Sequence, residues 1–121
     1  MEISEKDWKL FRSKLPTWQE SYIGKLNQEY VELLNSSDNP ADKFWKLEKR
    51  IKTDKHKTGV VCEISRSKMV ENIISLITED VIGTEDLLEF TDNLKSTVQL
   101  MLELYQGEKW VKDNGWSNYN N

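Results

Sequence analysis

Cysteine occurs once in the 121 residues, as Cys62, and histidine once, as His56. A lone thiol forms no intrachain disulfide and offers no multi-thiolate metal site. The apolar neighbours of Cys62 (Val60, Val61 and Ile64) point to a buried, unreactive sulfur. Long apolar runs are missing as well. The strongest, Ile73 to Ile77, is interrupted by Ser75, whereas a helix crossing a bilayer needs roughly 20 apolar residues. The opening segment, Met1 to Asp7, carries three carboxylates and no apolar stretch, so no secretory signal is expected and the cytoplasm is the expected location. Proline stands only at positions 16 and 40.

Catalytic signatures are also absent. The chain has no G-x-S-x-G, no phosphate-binding glycine loop, no dinucleotide fingerprint and no HEXXH. His56 sits among lysines with nothing to orient it, and a catalytic triad needs a nucleophile, a base and an orienting group. The carboxylate pairs Glu79–Asp80 and Glu85–Asp86 fall at predicted helix ends, where the helix dipole accounts for them. A calcium loop ending at Asp86 would put Ile77 at a ligand position and Asp80 where glycine is required. The expectation is a non-catalytic protein with no catalytic, cofactor-binding or metal-ligating residue and no cofactor.

Aromatic residues, by contrast, are plentiful at 10%, including five tryptophans. That content argues for a folded core, because disordered chains are poor in such side chains. One domain is expected at this length. The fold class predicted is all-α: a compact bundle of four or five helices over residues 1–106, with a partly ordered tail over 107–121.

Trp8, Phe11, Leu15, Trp18 and Tyr22 recur at spacings of three and four and share one helical face. Ser4 with Asp7 predicts a capping box at the start of this helix. Pro16 predicts a kink near Leu15, with the helix ending at the turn formers from Asn35 to Asn39. Such a helix, about 46 Å long at 1.5 Å per residue, exceeds a compact domain of this size, so a homo-oligomer is one expectation.

Asp38 or Asn39 should cap a second helix with Pro40 at its first position, ending near Thr53 or Asp54. Its narrow apolar face is Phe44, Leu47 and Ile51, with Trp45 beside it. Lys55 to Gly59 is predicted to be a basic loop and Val60 to Ile64 an extended connector. Ser65 should cap a third helix, with Ile64 and Met69 as a hydrophobic staple. Gly83–Thr84 marks a turn, and from Glu85 helical spacing holds until Gly107 stops it; Thr91–Asp92 could divide this stretch in two, but the unbroken apolar stripe favours one helix. A tail ordered only if Trp110 and Trp116 anchor it completes the chain.

Charge is uneven. The net is −4. From Lys43 to Lys57, however, seven basic residues stand against Glu48 and Asp54, and from Glu71 to Glu108 nine acidic residues stand against Lys95. The basic segment is either a partner surface or a solvated face. Trp45, Lys46, Lys49 and Arg50 are the candidate partner surface, for a protein partner or for another copy. Nucleic acid is the alternative partner of the basic 43–57 segment. A DNA-reading helix after Gly83 is disfavoured, since it would open on Glu85, Asp86 and Glu89.

Glu5 to Arg12, Lys43 to Ile51, Ser65 to Met69 and Asp86 to Phe90 resemble a group of small uncharacterised bacterial helical proteins, some labelled "multidrug transporter". The resemblance reaches to about Leu102 and implies a cytoplasmic bacterial protein. It carries over no site residue, and a transporter would need membrane-spanning segments that are missing from this sequence.

Overall fold

A computed structural model describes residues 2–113, with side chains as far as Glu108. Its four α-helices are α1 (Glu5–Leu34), α2 (Pro40–Asp54), α3 (Met69–Thr78) and α4 (Asp92–Asp113). Two 3-10 turns, Arg66–Lys68 and Thr84–Leu87, lead into the third and fourth. Among the described residues there is no strand; Val60 still belongs to the turn closed on the Lys57 carbonyl, and 61–64 connect to the next element without regular structure. The all-α bundle matches the periodicity of the apolar residues.

Ser4 caps α1 by accepting from the Asp7 N–H at 3.1 Å. The reciprocal half of the predicted capping box does not form, because the Asp7 carboxylate turns instead to Thr91. The helix runs unbroken through Pro16. Proline removes one helical hydrogen bond, and the buried residues Phe11 and Leu15 before it and Tyr22 and Leu26 after it keep the helix packed on both sides.

The core is built from the first half of α1 (Phe11, Leu15), from α3 (Met69, Ile73, Leu76), from Ile82, Leu87 and Phe90, and from α4 (Leu94, Val98, Leu102). Trp8, Phe11, Trp18 and Phe90 form an aromatic chain with ring centroids 6.3, 6.4 and 6.5 Å apart. The aromatic stripe of the sequence is therefore core, at separations favourable for ring pairs.

Three local expectations need correction. The predicted helix from Glu85 is divided: a 3-10 turn ends at Leu87, and α4 starts afresh at Asp92, with the Thr91 hydroxyl accepting from Leu94 N–H at 3.2 Å. Gly107 does not stop α4, which continues to Asp113. A glycine inside a helix costs only about 1 kcal/mol relative to alanine, and nothing at Gly107 requires a left-handed turn. Helical structure thus extends beyond residue 106 into the segment assigned to the tail. The predicted staple is open too, since Met69 is buried but Ile64 is exposed. The anchoring role considered for Trp116 falls outside the described residues, and that for Trp110 outside the described side chains.

The left-handed residue in the α3–α4 connection is Asp80, with φ 59°, rather than a glycine. The N–H groups of Asp80 and Val81 bond to the carbonyls of Ile77 and Leu76 at 3.1 and 2.8 Å, the double closure of a Schellman end. Gly59 meets a real constraint: a Cβ there would lie 2.4 Å from the Tyr22 ring and 2.6 Å from a Val81 methyl.

Candidate partner-binding face of α2

Helix α2 is placed by its cap. Asn39 Oδ1 accepts from Asp42 N–H at 2.8 Å, and Pro40 occupies the first turn. Its one buried side chain is Asp54, and none of its residues joins the core. The side that meets α1 runs Lys43, Leu47, Arg50, Asp54, at spacings of four, three and four, and these are the half-buried and buried positions.

The seam between α1 and α2 is ionic. Asp54 accepts the Tyr30 hydroxyl at 2.6 Å and pairs with Lys57 at 3.3 Å and Arg50 at 3.4 Å. Arg50 also reaches Glu29 at 3.2 Å, and its guanidinium lies 5.5 Å from the Tyr30 ring centroid. Burial by itself disfavours the charged form of Asp54, but the Tyr30 hydroxyl, Lys57 and Arg50 outweigh it and hold the carboxyl below its ordinary range. Burial and the Asp54 hydrogen bond push the Tyr30 hydroxyl up to about 12.

A helix that packs through charge turns its apolar side outward. Phe44 is 61% exposed and Trp45 63% exposed, and Ile51 is exposed beside them. Phe44 and Trp45 stack edge to face, with centroids 4.9 Å apart. Phe44, Leu47 and Ile51 line an open hollow of about 340 Å³ that is rimmed by Glu48, Lys52 and Lys55. Two exposed aromatics next to an aliphatic residue are unusual on a surface with no partner, since contiguous exposed apolar patches mark interaction sites.

The four residues nominated from sequence therefore separate. Trp45 and Lys49 are exposed on α2. Lys46 is tied to Asp38 across the α1–α2 turn, and Arg50 is tied into the seam. Of the seven basic residues between 43 and 57, Lys46, Arg50, Lys52 and Lys57 form ion pairs within the chain. Phe44 and Ile51, two members of the narrow apolar face expected for this helix, are exposed, whereas Leu47, the third, is half-buried. A signal was available: Lys43, Arg50 and Asp54, spaced by helical turns with Leu47 as the one apolar member, offer α1 a mainly charged stripe, which leaves Phe44 and Ile51 without a seat.

The predicted basic loop is pinned rather than free. Thr58 donates its N–H to Glu79 at 3.0 Å and its carbonyl accepts from Gln19 at 3.2 Å, while Gly59 is buried. His56 is exposed in the turn after α2. Cys62 is half-buried, and burial followed by the nearby Glu63 and Glu79 carboxylates pushes its thiol up. A wider hollow of about 730 Å³ beside Leu10 and Phe90 presents Lys6, Glu89, Asp92 and Lys95, which make no nucleophile–base pair. Among the described residues, no three of His, Cys, Asp and Glu gather where a metal could bind, and no helix is long and apolar enough to cross a membrane.

No protein family, curated protein or solved structure matches this chain.

Proposed function

We propose that this chain is a non-catalytic interaction protein whose binding element is the outer face of α2 and whose partner is an amphipathic helix bearing acidic residues. The observation that supports this most is the inversion of α2: charged residues are turned to α1, while Phe44, Trp45 and Ile51 face solvent. Aromatic anchors of this kind carry most of the binding energy at helix-in-groove contacts. Lys49, Lys52 and Lys55 lie along the same side, which favours carboxylates on the partner and speeds encounter.

Nucleic acid as partner has less support, because Lys46, Arg50 and Lys57 are tied to carboxylates at the α1–α2 turn and seam. The remaining cations are too few for the multi-phosphate contact that such binding draws on.

The test is a polarisation titration with a labelled synthetic helical peptide that carries leucines on one face and glutamates elsewhere. Saturable binding that weakens about tenfold or more in Trp45→Ala is the expected result. Absence of binding by the unaltered protein, or equal binding by Trp45→Ala, defeats the proposal.

A further inference from the structure

A second exposed apolar face lies on α4 among the described residues. Leu100, Met101, Leu104 and Tyr105, at spacings of one, three and one, are all exposed, while Leu102 between them is buried in the core. Glu103 and Glu108 flank this strip and are also exposed. Among the described residues, these two apolar helical faces carry opposite charge: α2 has Lys49, Lys52 and Lys55 against Glu48, and α4 has Glu103 and Glu108.

We infer that the acidic helix seated on α2 is the α4 strip of a second copy of this chain. This rests on the reading of α2 as a binding face and names its occupant. Charge selects the pairing. Two α2 faces placed together would oppose lysines with lysines, and two α4 faces would oppose Glu103 and Glu108 with their like. Only α2 against α4 brings opposite signs together while covering both apolar surfaces, and like charges across an interface are costly.

Area is sufficient. Phe44, Trp45 and Ile51 with Leu100, Met101, Leu104 and Tyr105 leave on the order of 800 Å² of apolar surface to cover, judged from the 150–250 Å² that an aromatic side chain buries. With the charged rims added, this approaches the roughly 1,200 Å² total of a small specific interface. The contact is heterologous, so it either closes into a ring, of which a dimer with two such contacts is the smallest, or continues as a chain.

The experiment is sedimentation equilibrium of the full chain from about 10 μM to about 1 mM, at roughly 0.05 M and 0.5 M salt. Two charge-reversed variants are included: Lys49→Glu with Lys52→Glu and Lys55→Glu on α2, and Glu103→Lys with Glu108→Lys on α4. All five positions are exposed, and surface ion pairs such as Lys52–Glu48 contribute little to folding; helical content by circular dichroism verifies that each variant is folded. The unaltered chain should exceed its monomer mass at low salt and dissociate at high salt. Each variant alone should associate at least about tenfold more weakly, and an equimolar mixture should recover association, because both α2–α4 pairings are then again of opposite sign.

A monomer at every concentration overturns the inference, as does association that neither reversal weakens or that mixing does not restore. If the unaltered chain is monomeric yet still binds the acidic peptide at Trp45, the second copy is the wrong occupant and α2 remains a binding face for another protein's helix. If it neither associates nor binds the peptide, both fall.

Discussion

Thr91 gives both of its donors to Asp7. Its backbone N–H meets Oδ1 at 2.9 Å and its hydroxyl meets Oδ2 at 2.6 Å. Asp7 is 1% exposed, in the first turn of α1, and Thr91 is the residue that caps α4. One carboxylate thus joins the starts of two helices separated by 84 residues, inside the core. A buried acceptor removed from such a place leaves a donor unpaired, which costs more than the bond contributed.

Asp7→Ala should therefore lower stability by about 2–3 kcal/mol, and Asp7→Asn by less, since its amide oxygen still accepts from the Thr91 N–H. Urea denaturation of the three proteins measures both. Equal stability of Asp7→Ala and the unaltered chain would contradict the role of this bridge.

The Asp54 cluster predicts opposite behaviour at the two ends of the pH scale. Asp54 is held below its ordinary 3.8, so in acid the unfolded chain takes up a proton before the folded one does. Its contribution is full above that pH and is lost as pH falls below it. Tyr30 is raised from 10.0 to about 12, so between those values the folded protein keeps a proton that the unfolded chain has released. Stability should then fall as pH rises through that window. Asp54→Asn should flatten the acid limb and Tyr30→Phe the alkaline limb, as read from urea midpoints across pH.

Arg50→Glu would place a third carboxylate beside Glu29 and Asp54. The expected loss is about 1–2 kcal/mol, with faster hydrogen exchange concentrated in α2 and the core amides of α3 little changed. Lys49→Glu, on the exposed side, should leave exchange in both helices as it was. Arg50 and Lys49 are neighbours in sequence with different duties.

Asp80 holds a left-handed conformation that a Cβ disfavours. Asp80→Gly should raise stability by up to about 1 kcal/mol, the relief being partly offset by the greater freedom of glycine in the unfolded chain. Thermal unfolding of the two proteins reads this directly. At Gly59 the sign reverses: Gly59→Ala drives a methyl into Tyr22 and Val81 and should cost roughly 1–3 kcal/mol.

Much of the fold was legible from residue order. The sequence narrows the α2 cap to Asp38 or Asn39, puts Pro40 in the first turn and ends the helix near Thr53 or Asp54, and the structure selects Asn39 and Asp54, because capping chemistry is local. That Val60 to Ile64 forms no strand follows from the lack of a partner run, although Val60 closes a turn on Lys57. The division at Thr91 was harder, since Leu87, Phe90, Leu94 and Val98 keep helical spacing across it and all four are buried. What divides the helix is the bond from Thr91 to Asp7, a contact distant in sequence.

The binding face was half legible. Periodicity reveals that Phe44, Leu47 and Ile51 share a side of α2 but is silent on whether anything covers that side. Arg50 looked like surface because charged residues usually are; its place depends on Glu29, Tyr30 and Asp54, which only the packing of α2 on α1 brings together. The charged residues Lys43, Arg50 and Asp54 of the α1-facing stripe, read alongside the apolar one, are the signal that would have found the exposed face.

Calorimetric titration of the acidic helical peptide onto the full chain at several temperatures bears most directly on α2 as a binding face. Covering Phe44, Trp45 and Ile51 removes apolar surface from water, so the binding heat capacity change should be negative. It should shrink in Phe44→Ala with Trp45→Ala, along with a loss of affinity. Absence of binding heat at every temperature, with no change in peptide polarisation, would contradict a docking role for α2, as would an identical heat capacity change in the unaltered and doubly substituted proteins.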